Sequence, residues 1–219
     1  MVELVHGLSA ELVRTNLERV RDAIADTGRD PNEIEVLAAV KYVPVEELGA
    51  LAEAGATLVG ENRAQELAIK TQAGPAGLTW DFIGHLQSRK VRDVVPLVRY
   101  IHSVCTDSVL DQLGRHASAD TEVLVEVNVA GEHGKSGIAP DQLAGFLERC
   151  PVTVVGLMTM PPFTAKPEES RRYFATLAGL AADHGLQQLS MGTSQDYLVA
   201  AEEGATIVRL GTTLYRGAS

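Results

Sequence analysis

The 219 residues carry 29 Asp and Glu against 19 Lys and Arg, a formal net charge of −10. That balance excludes a nucleic-acid backbone as the main partner, because such binding needs a clustered cationic face. A composition 45% hydrophobic and 22% charged is that of a globular protein, and a chain of this length can bury its core as one domain over residues 1–219.

The opening MVELVHGLSAELVRTN carries an early acid and no basic segment ahead of an apolar run, so it does not read as a signal peptide. No apolar stretch approaches the length of a membrane span. Cys105 and Cys150 fit no CxxC or zinc spacing, the usage of a reduced chain. A soluble, cytoplasmic protein is expected, with a monomer as the default because no long heptad or large apolar stripe is evident.

The first predicted element is a helix opening at Ser9, with Val13, Leu17, Val20 and Ile24 at helical spacing and Gly28 and Pro31 beyond its end. Short apolar strands then alternate with helical stretches. The strands are expected at 35–41, 57–60, 80–84, 100–104, 122–129, 152–158, 188–192 and 206–211. The intervening segments include PVEELGALAEAG, NRAQELAIKTQ, SRKVRDVVPLV, TDSVLDQLGRHA and KPEESRRYFATLAGLAADHG. Apolar strands separated by helices argue for a parallel sheet covered by helices. Eight units in this length fit a (β/α)8 TIM barrel, with a doubly wound open sheet as the alternative.

The first strand, VLAAVK, ends in Lys41, a charged amine directly after a core segment. Polar residues also close the other strands: Glu61 and Asn62, His85, His102 and Ser103, Asn128, Met158 and Thr159, Ser190 and Ser194, and Arg209 ahead of Gly211 and Thr212. Any one of these is most often a loop cap. In a barrel, all of them converge on the face that carries the active site. The glycine-bearing turns SMGTS (190–194) and RLGTT (209–213) suit an anion held by backbone N–H groups. GEHGKSG at 131–137 departs from a phosphate loop because Val129 stands where a glycine is needed. GTSQD lacks the second glycine of a nucleophile elbow. A strand-end lysine opposite a phosphate site points to Schiff-base chemistry on a phosphorylated carbonyl compound. A sugar phosphate and a cofactor aldehyde both meet that description.

LAAVKYVP, GENRAQEL, WDFIGHLQSRKV, IHSV, EVNVAGEHGKSGI, VVGLMTMPP, LSMGTSQD and VRLGTTLY, in this order and spacing, resemble the pyridoxal-phosphate homeostasis proteins. These are single-domain relatives of the alanine racemase N-terminal barrel (PLP fold type III). The resemblance covers residues 9 to 217. It implies that Lys41 carries pyridoxal 5'-phosphate as a Schiff base, with Asn62 near the ring and His85 and Met158 lining the site. It implies that Ser194, Gly211 and Thr212 hold the phosphate, with Ser190 and Met191 in the adjoining turn. Arg209 is implied to face the pyridine nitrogen. A guanidinium stays protonated and disfavours a protonated ring, which leaves a weak electron sink.

Racemases of this barrel type draw a second base, a tyrosine, from another domain. Here Tyr42 is expected to alternate away from Lys41, Tyr173 and Tyr197 fall in helices, and Tyr215 is left open as a second base. The resemblance therefore implies a carrier that buffers or delivers the cofactor, with PLP-dependent apo-enzymes as candidate partners. The alternative is a weak single-domain amino-acid racemase.

Overall fold

The computed structural model describes residues 4–216. Eight parallel strands close into a barrel whose spatial order follows the chain: β1 (Glu35–Ala39), β2 (Leu58–Glu61), β3 (Thr79–Phe82), β4 (Tyr100–Val104), β5 (Glu122–Glu126), β6 (Thr153–Met158), β7 (Gln188–Thr193) and β8 (Ile207–Leu210). The β1–β8 pairing, with Glu35 opposite Ile207 and Ala38 opposite Leu210, seals the sheet. An open doubly wound sheet would leave those two edges free, so the closed barrel replaces that alternative.

Helices cover the outside. The first, α1 (Ala10–Asp26), starts where the Ser9 hydroxyl accepts the Leu12 N–H, an N-cap that satisfies an orphan donor. Its stripe of Val13, Leu17, Val20 and Ile24 is buried. The stripe packs beside α2 (Leu48–Ala54) and the short α9 (Thr212–Tyr215). Buried Asn16 in that stripe donates to the carbonyls of Leu214 and Arg216 at 3.1 and 3.0 Å, tying the start of the chain to its last turn. The remaining helices are α3 (Ala64–Ala73), α4 (Val91–Val94), α5 (Asp107–His116), α6 (Leu143–Arg149), α7 (Arg171–Asp183) and α8 (Tyr197–Glu202). The segment SRKVRDVVPLV, expected as one helix, is a 3-10 turn, α4 and a second 3-10 turn. Pro96 lacks the N–H that would continue the ladder.

Period-two alternation sorts each strand between two environments. Val59, Phe82, Val123, Val125, Leu157, Leu189, Met191, Val208 and Leu210 point outward into the core shared with the helices. The opposite parity fills the barrel interior. Leu37, Leu124 and Ile207 there are fully buried but stand apart from that outer core. Asp81, His102, Ser190 and Arg209 share the interior, and the first three are wholly inaccessible. A register shift between Ile101 and Val104 breaks the alternation on β4. Consecutive His102 and Ser103 therefore both turn inward.

Strand ends depart from expectation by three residues at most, and β4 matches it at both ends. β1 stops at Ala39 rather than 41, and β5 stops at Glu126 rather than 129. Asn128 consequently lies in the following turn, where its amide donates to the Glu132 carbonyl at 2.9 Å and accepts the Glu132 N–H at 3.2 Å. It is a loop cap. Among the described residues no helix is long and apolar enough to cross a membrane.

Candidate functional site

A cavity of about 380 Å³ opens at the C-terminal ends of the strands, the end where barrels build their sites. Its walls include Lys41, Asn62, His85, Met158, Arg209, Gly211 and Thr212, brought together from β1, β2, β3, β6 and β8 and the turns that follow them. The volume suits a small organic ligand.

Lys41 sits two residues past β1, half-buried, with its backbone held on both sides. The Val40 carbonyl accepts from the Lys70 ammonium at 2.7 Å, and the Lys41 carbonyl accepts from Arg63 Nη2 at 2.9 Å. Lys70 is itself buried and pairs with buried Glu61 at 2.5 Å. The same Glu61 carboxylate accepts the N–H groups of Asn62 and Arg63 at 2.7 and 3.1 Å. A single ion pair behind β1 and β2 thus anchors both Lys41 and Asn62. It follows from parity: Glu61 is the outward residue of β2, and Lys70 reaches it from α3.

Tyr42 does not turn away. Because the strand has already ended, Tyr42 lines the cavity, and the Lys41 ammonium lies 4.7 Å from its ring centroid, within cation–π range. Tyr215 is the reverse case. Its hydroxyl donates to the Ala39 carbonyl at 3.1 Å, and the residue is absent from the cavity wall. Burial, reinforced by the Glu61 charge, pushes that phenol well above its ordinary range.

The floor consists of Met158, Arg209 and Glu126. Arg209 is buried. Its Nη1 donates to the Ser190 carbonyl at 2.6 Å and the Ser190 hydroxyl at 2.5 Å, and its Nη2 to the Thr159 carbonyl at 2.9 Å and the Met160 thioether. Burial lowers its pKa to about 10, opposed by the charges of Glu126 and Asp196, so the group is cationic at neutral pH. Glu126 escaped the sequence reading. It occupies the last inward position of EVLVE, whereas the expected strand, 122–129, carries the same parity on to Asn128. Burial raises the Glu126 carboxyl to about 7, against the attraction of Arg209 and the Cys105 thiol beside it. Ser103 joins the wall from the end of β4, as its strand-end position implied, and Ile83 and Thr193 complete parts of it that were not expected.

At the β7 and β8 ends, the N–H groups of Gly211 and Thr213 converge on the Ser194 hydroxyl at 3.2 and 3.3 Å. Asp196 closes the preceding turn by accepting from Thr193 N–H and hydroxyl at 2.8 and 3.0 Å. Gly192 in this turn has φ +88°, and a Cβ there would lie 2.6 Å from that of Ala200. Only glycine fits. Gly211 and Thr212 of this turn line the cavity, and converging backbone N–H groups are the type of donor that binds anions.

Three of the expected contacts are absent from the cavity wall: Ser194, which lies behind Gly211 and accepts its N–H, Met191 and Ser190. Met191 is an outward residue of β7, buried in the helix–sheet core, because parity sends it away from the interior. Ser190 points inward but sits beneath the floor, hydrogen-bonded to Arg209 and His102 and absent from the cavity wall. His85 is exposed at the rim. The buried Ser103 hydroxyl donates to the Gly84 carbonyl, and Gly84 lies so close to the Asn62 carbonyl that no Cβ would fit.

The model of the alanine racemase N-terminal domain matches residues 10–219. The pyridoxal phosphate homeostasis protein of Aquifex aeolicus is 40% identical, over 91% of this chain and 93% of its own length. The chain belongs to the pyridoxal phosphate homeostasis proteins of the alanine racemase N-terminal domain family. Solved structures that share the fold include two that cover nearly the whole chain. A Bifidobacterium adolescentis protein described only as unknown superposes with a TM-score of 0.85, at 30% identity and 98% coverage of both chains. PipY of Synechococcus elongatus with pyridoxal phosphate bound gives 0.76 at 29% identity, covering 93% of this chain and all of PipY.

Proposed function

We propose that this protein binds pyridoxal 5'-phosphate in the strand-end cavity and serves vitamin B6 and amino-acid homeostasis in the cytoplasm as a carrier. The observation that carries this reading is that the Lys41 amine, the Arg209 guanidinium and the glycine turn at Gly211 and Thr212 line one small cavity, with the Ser194 hydroxyl hydrogen-bonded to that turn. A phosphorylated aromatic aldehyde has groups complementary to each of these. The residues present fit it. Lys41 supplies the amine for a Schiff base, Ser194, Gly211 and Thr212 supply phosphate donors, and Asn62, His85 and Met158 line the ring. When bound, the cofactor supplies a reactive aldehyde and an electron-withdrawing ring. Arg209, cationic and unable to accept a proton from the ring nitrogen, keeps that withdrawal weak.

A carrier fits the wall better than a racemase does. Proton removal and return on opposite faces of a planar ligand need two bases on opposite sides. Tyr42, the one tyrosine in the cavity wall, is stacked against Lys41 itself. Apo-enzymes that require the cofactor are the partners this reading implies.

Lys41→Ala tests it. The wild type should develop a visible band with pyridoxal phosphate, which borohydride fixes to the Lys41 peptide by mass spectrometry, and the variant should yield neither. Absence of the band from the wild type would overturn the reading. Racemisation of an amino acid by the loaded wild type, lost in Tyr42→Phe, would replace the carrier by the racemase.

A further inference from the structure

Beneath the cavity floor, polar residues form a continuous chain through the barrel, exposed at Glu35 and buried from Asp81 to Arg209. Arg99 joins Glu35 at the far end, Nη1 to Oε1 at 2.7 Å, to Asp81, with Nε to Oδ1 at 3.1 Å and Nη2 to Oδ2 at 2.8 Å. Asp81 Oδ2 lies 3.0 Å from His102 Nε2. His102 Nδ1 lies 2.8 Å from the Ser190 hydroxyl, and that hydroxyl lies 2.5 Å from Arg209 Nη1. Asp81, His102 and Ser190 are each wholly inaccessible, so no bulk water can exchange for these partners.

The chemistry of the donors fixes every proton. A guanidinium only donates, so the Ser190 oxygen must accept from Arg209 and send its own proton elsewhere. The remaining neighbour is His102 Nδ1, which therefore accepts. The imidazole proton then sits on Nε2 and is given to Asp81. Asp81 must be an anion to receive it, and its bond to Arg99 together with the Tyr100 N–H at 3.2 Å stabilises that state. Burial drives the imidazole below its ordinary pKa, against Asp81, consistent with a neutral ring.

We propose that Asp81, His102 and Ser190 form a positioning relay that fixes the orientation of the Arg209 guanidinium under the ligand cavity. With Ser190 held as an acceptor, both Nη1 hydrogens are engaged, and Thr159 and Met160 take those of Nη2. The Nε–H is the donor left for a ligand. The opposite imidazole tautomer would point an N–H at Ser190, turn the hydroxyl proton toward Arg209 and displace the guanidinium. Although an Asp–His–Ser series resembles a nucleophilic triad, burial and the Arg209 bond leave this serine no access to substrate. Its role is geometric.

The relay itself stands without any ligand, whereas its effect on binding rests on the pyridoxal phosphate reading. The test has two parts. In the ligand-free wild type, long-range ¹H–¹⁵N correlation spectra of labelled histidine should show His102 neutral at pH 7 with Nε2 protonated and Nδ1 bare. A protonated Nδ1, in either a neutral or a charged ring, would overturn the relay. Asp81→Asn and Ser190→Ala are then titrated with pyridoxal phosphate. Affinity should fall roughly tenfold, the loss of one charge-assisted hydrogen bond, and the bound cofactor's absorption band should shift while the Lys41 adduct still forms. Folded variants with wild-type affinity and band would overturn the effect on Arg209. A wild type that binds no pyridoxal phosphate would defeat the proposed function, and the tautomer measurement would still decide the relay.

Discussion

Glu126 is the residue whose protonation the pocket controls most directly. Its carboxyl titrates near 7 in the folded chain, against an ordinary value of 4.5. Between those two values the folded state holds a proton that the unfolded state has lost, so stability falls as pH rises. The shift corresponds to about 3 kcal/mol in full. Glu126→Gln removes the titration while keeping size and polarity. The variant should match the wild type below about pH 4.5 and exceed it by about 1–3 kcal/mol at pH 8 in urea unfolding. Equal stabilities at pH 8 would show that the carboxyl is not held in the raised state. Gly192 gives a second residue-scale prediction. With φ +88° and Ala200 close behind it, Gly192→Ala should cost about 1–3 kcal/mol through backbone strain. It should also weaken phosphate competition for pyridoxal phosphate, measured by titration with inorganic phosphate. A variant with unchanged stability would mean the turn has another conformation.

At the scale of elements, β1, β2 and α3 are joined by one buried ion pair. Lys70 and Glu61 are 2% and 0% exposed, and their remaining hydrogen bonds go to the backbone at Val40, Asn62 and Arg63. Removing one partner strands the other charge, a loss of about 3–5 kcal/mol. Lys70→Met should therefore lower the urea midpoint strongly. Because the lost bonds lead to Lys41 and Asn62, it should also slow borohydride-trappable adduct formation under conditions where the variant remains folded. Unimpaired trapping in a destabilised variant would make the pair purely structural. The β4 register shift has a comparable reach. It lets two consecutive side chains enter the interior, His102 to the relay and Ser103 to the cavity wall.

For the whole molecule, closure through β1 and β8 makes every strand depend on its neighbours, and the outer core is continuous from Leu8 to Tyr215. One cooperative unit over residues 1–219 is the expected consequence. Unfolding in urea followed by the fluorescence of Trp80, the single tryptophan, on β3, should coincide with loss of far-UV circular dichroism. Separate transitions would divide the chain into two units. On the proposed carrier reading, light scattering should give a monomer.

Much of this architecture is legible in the residues. Eight apolar segments separated by amphipathic ones specify strands, helices and their alternation, because hydrophobic period is a local property. Ser9 and Gly28 likewise mark the ends of the first helix locally. Lys41 is visible because a charge directly after a buried strand needs a reason, and Arg209 because it sits on β8 just before a glycine turn. The parts that misled are those settled by contacts distant in sequence. Stopping β1 at Ala39 puts Tyr42 into the cavity, and stopping β5 at Glu126 makes Glu126, not Asn128, the floor residue. Parity set by the closed register sends Met191 outward and Ser190 beneath Arg209. The sequence by itself determined the repeating unit and the residue types available at each strand end. Tertiary structure decided which of them meet, because the inward face of each strand is chosen by closure, register and one bulge, and none of these has a signature within a single segment.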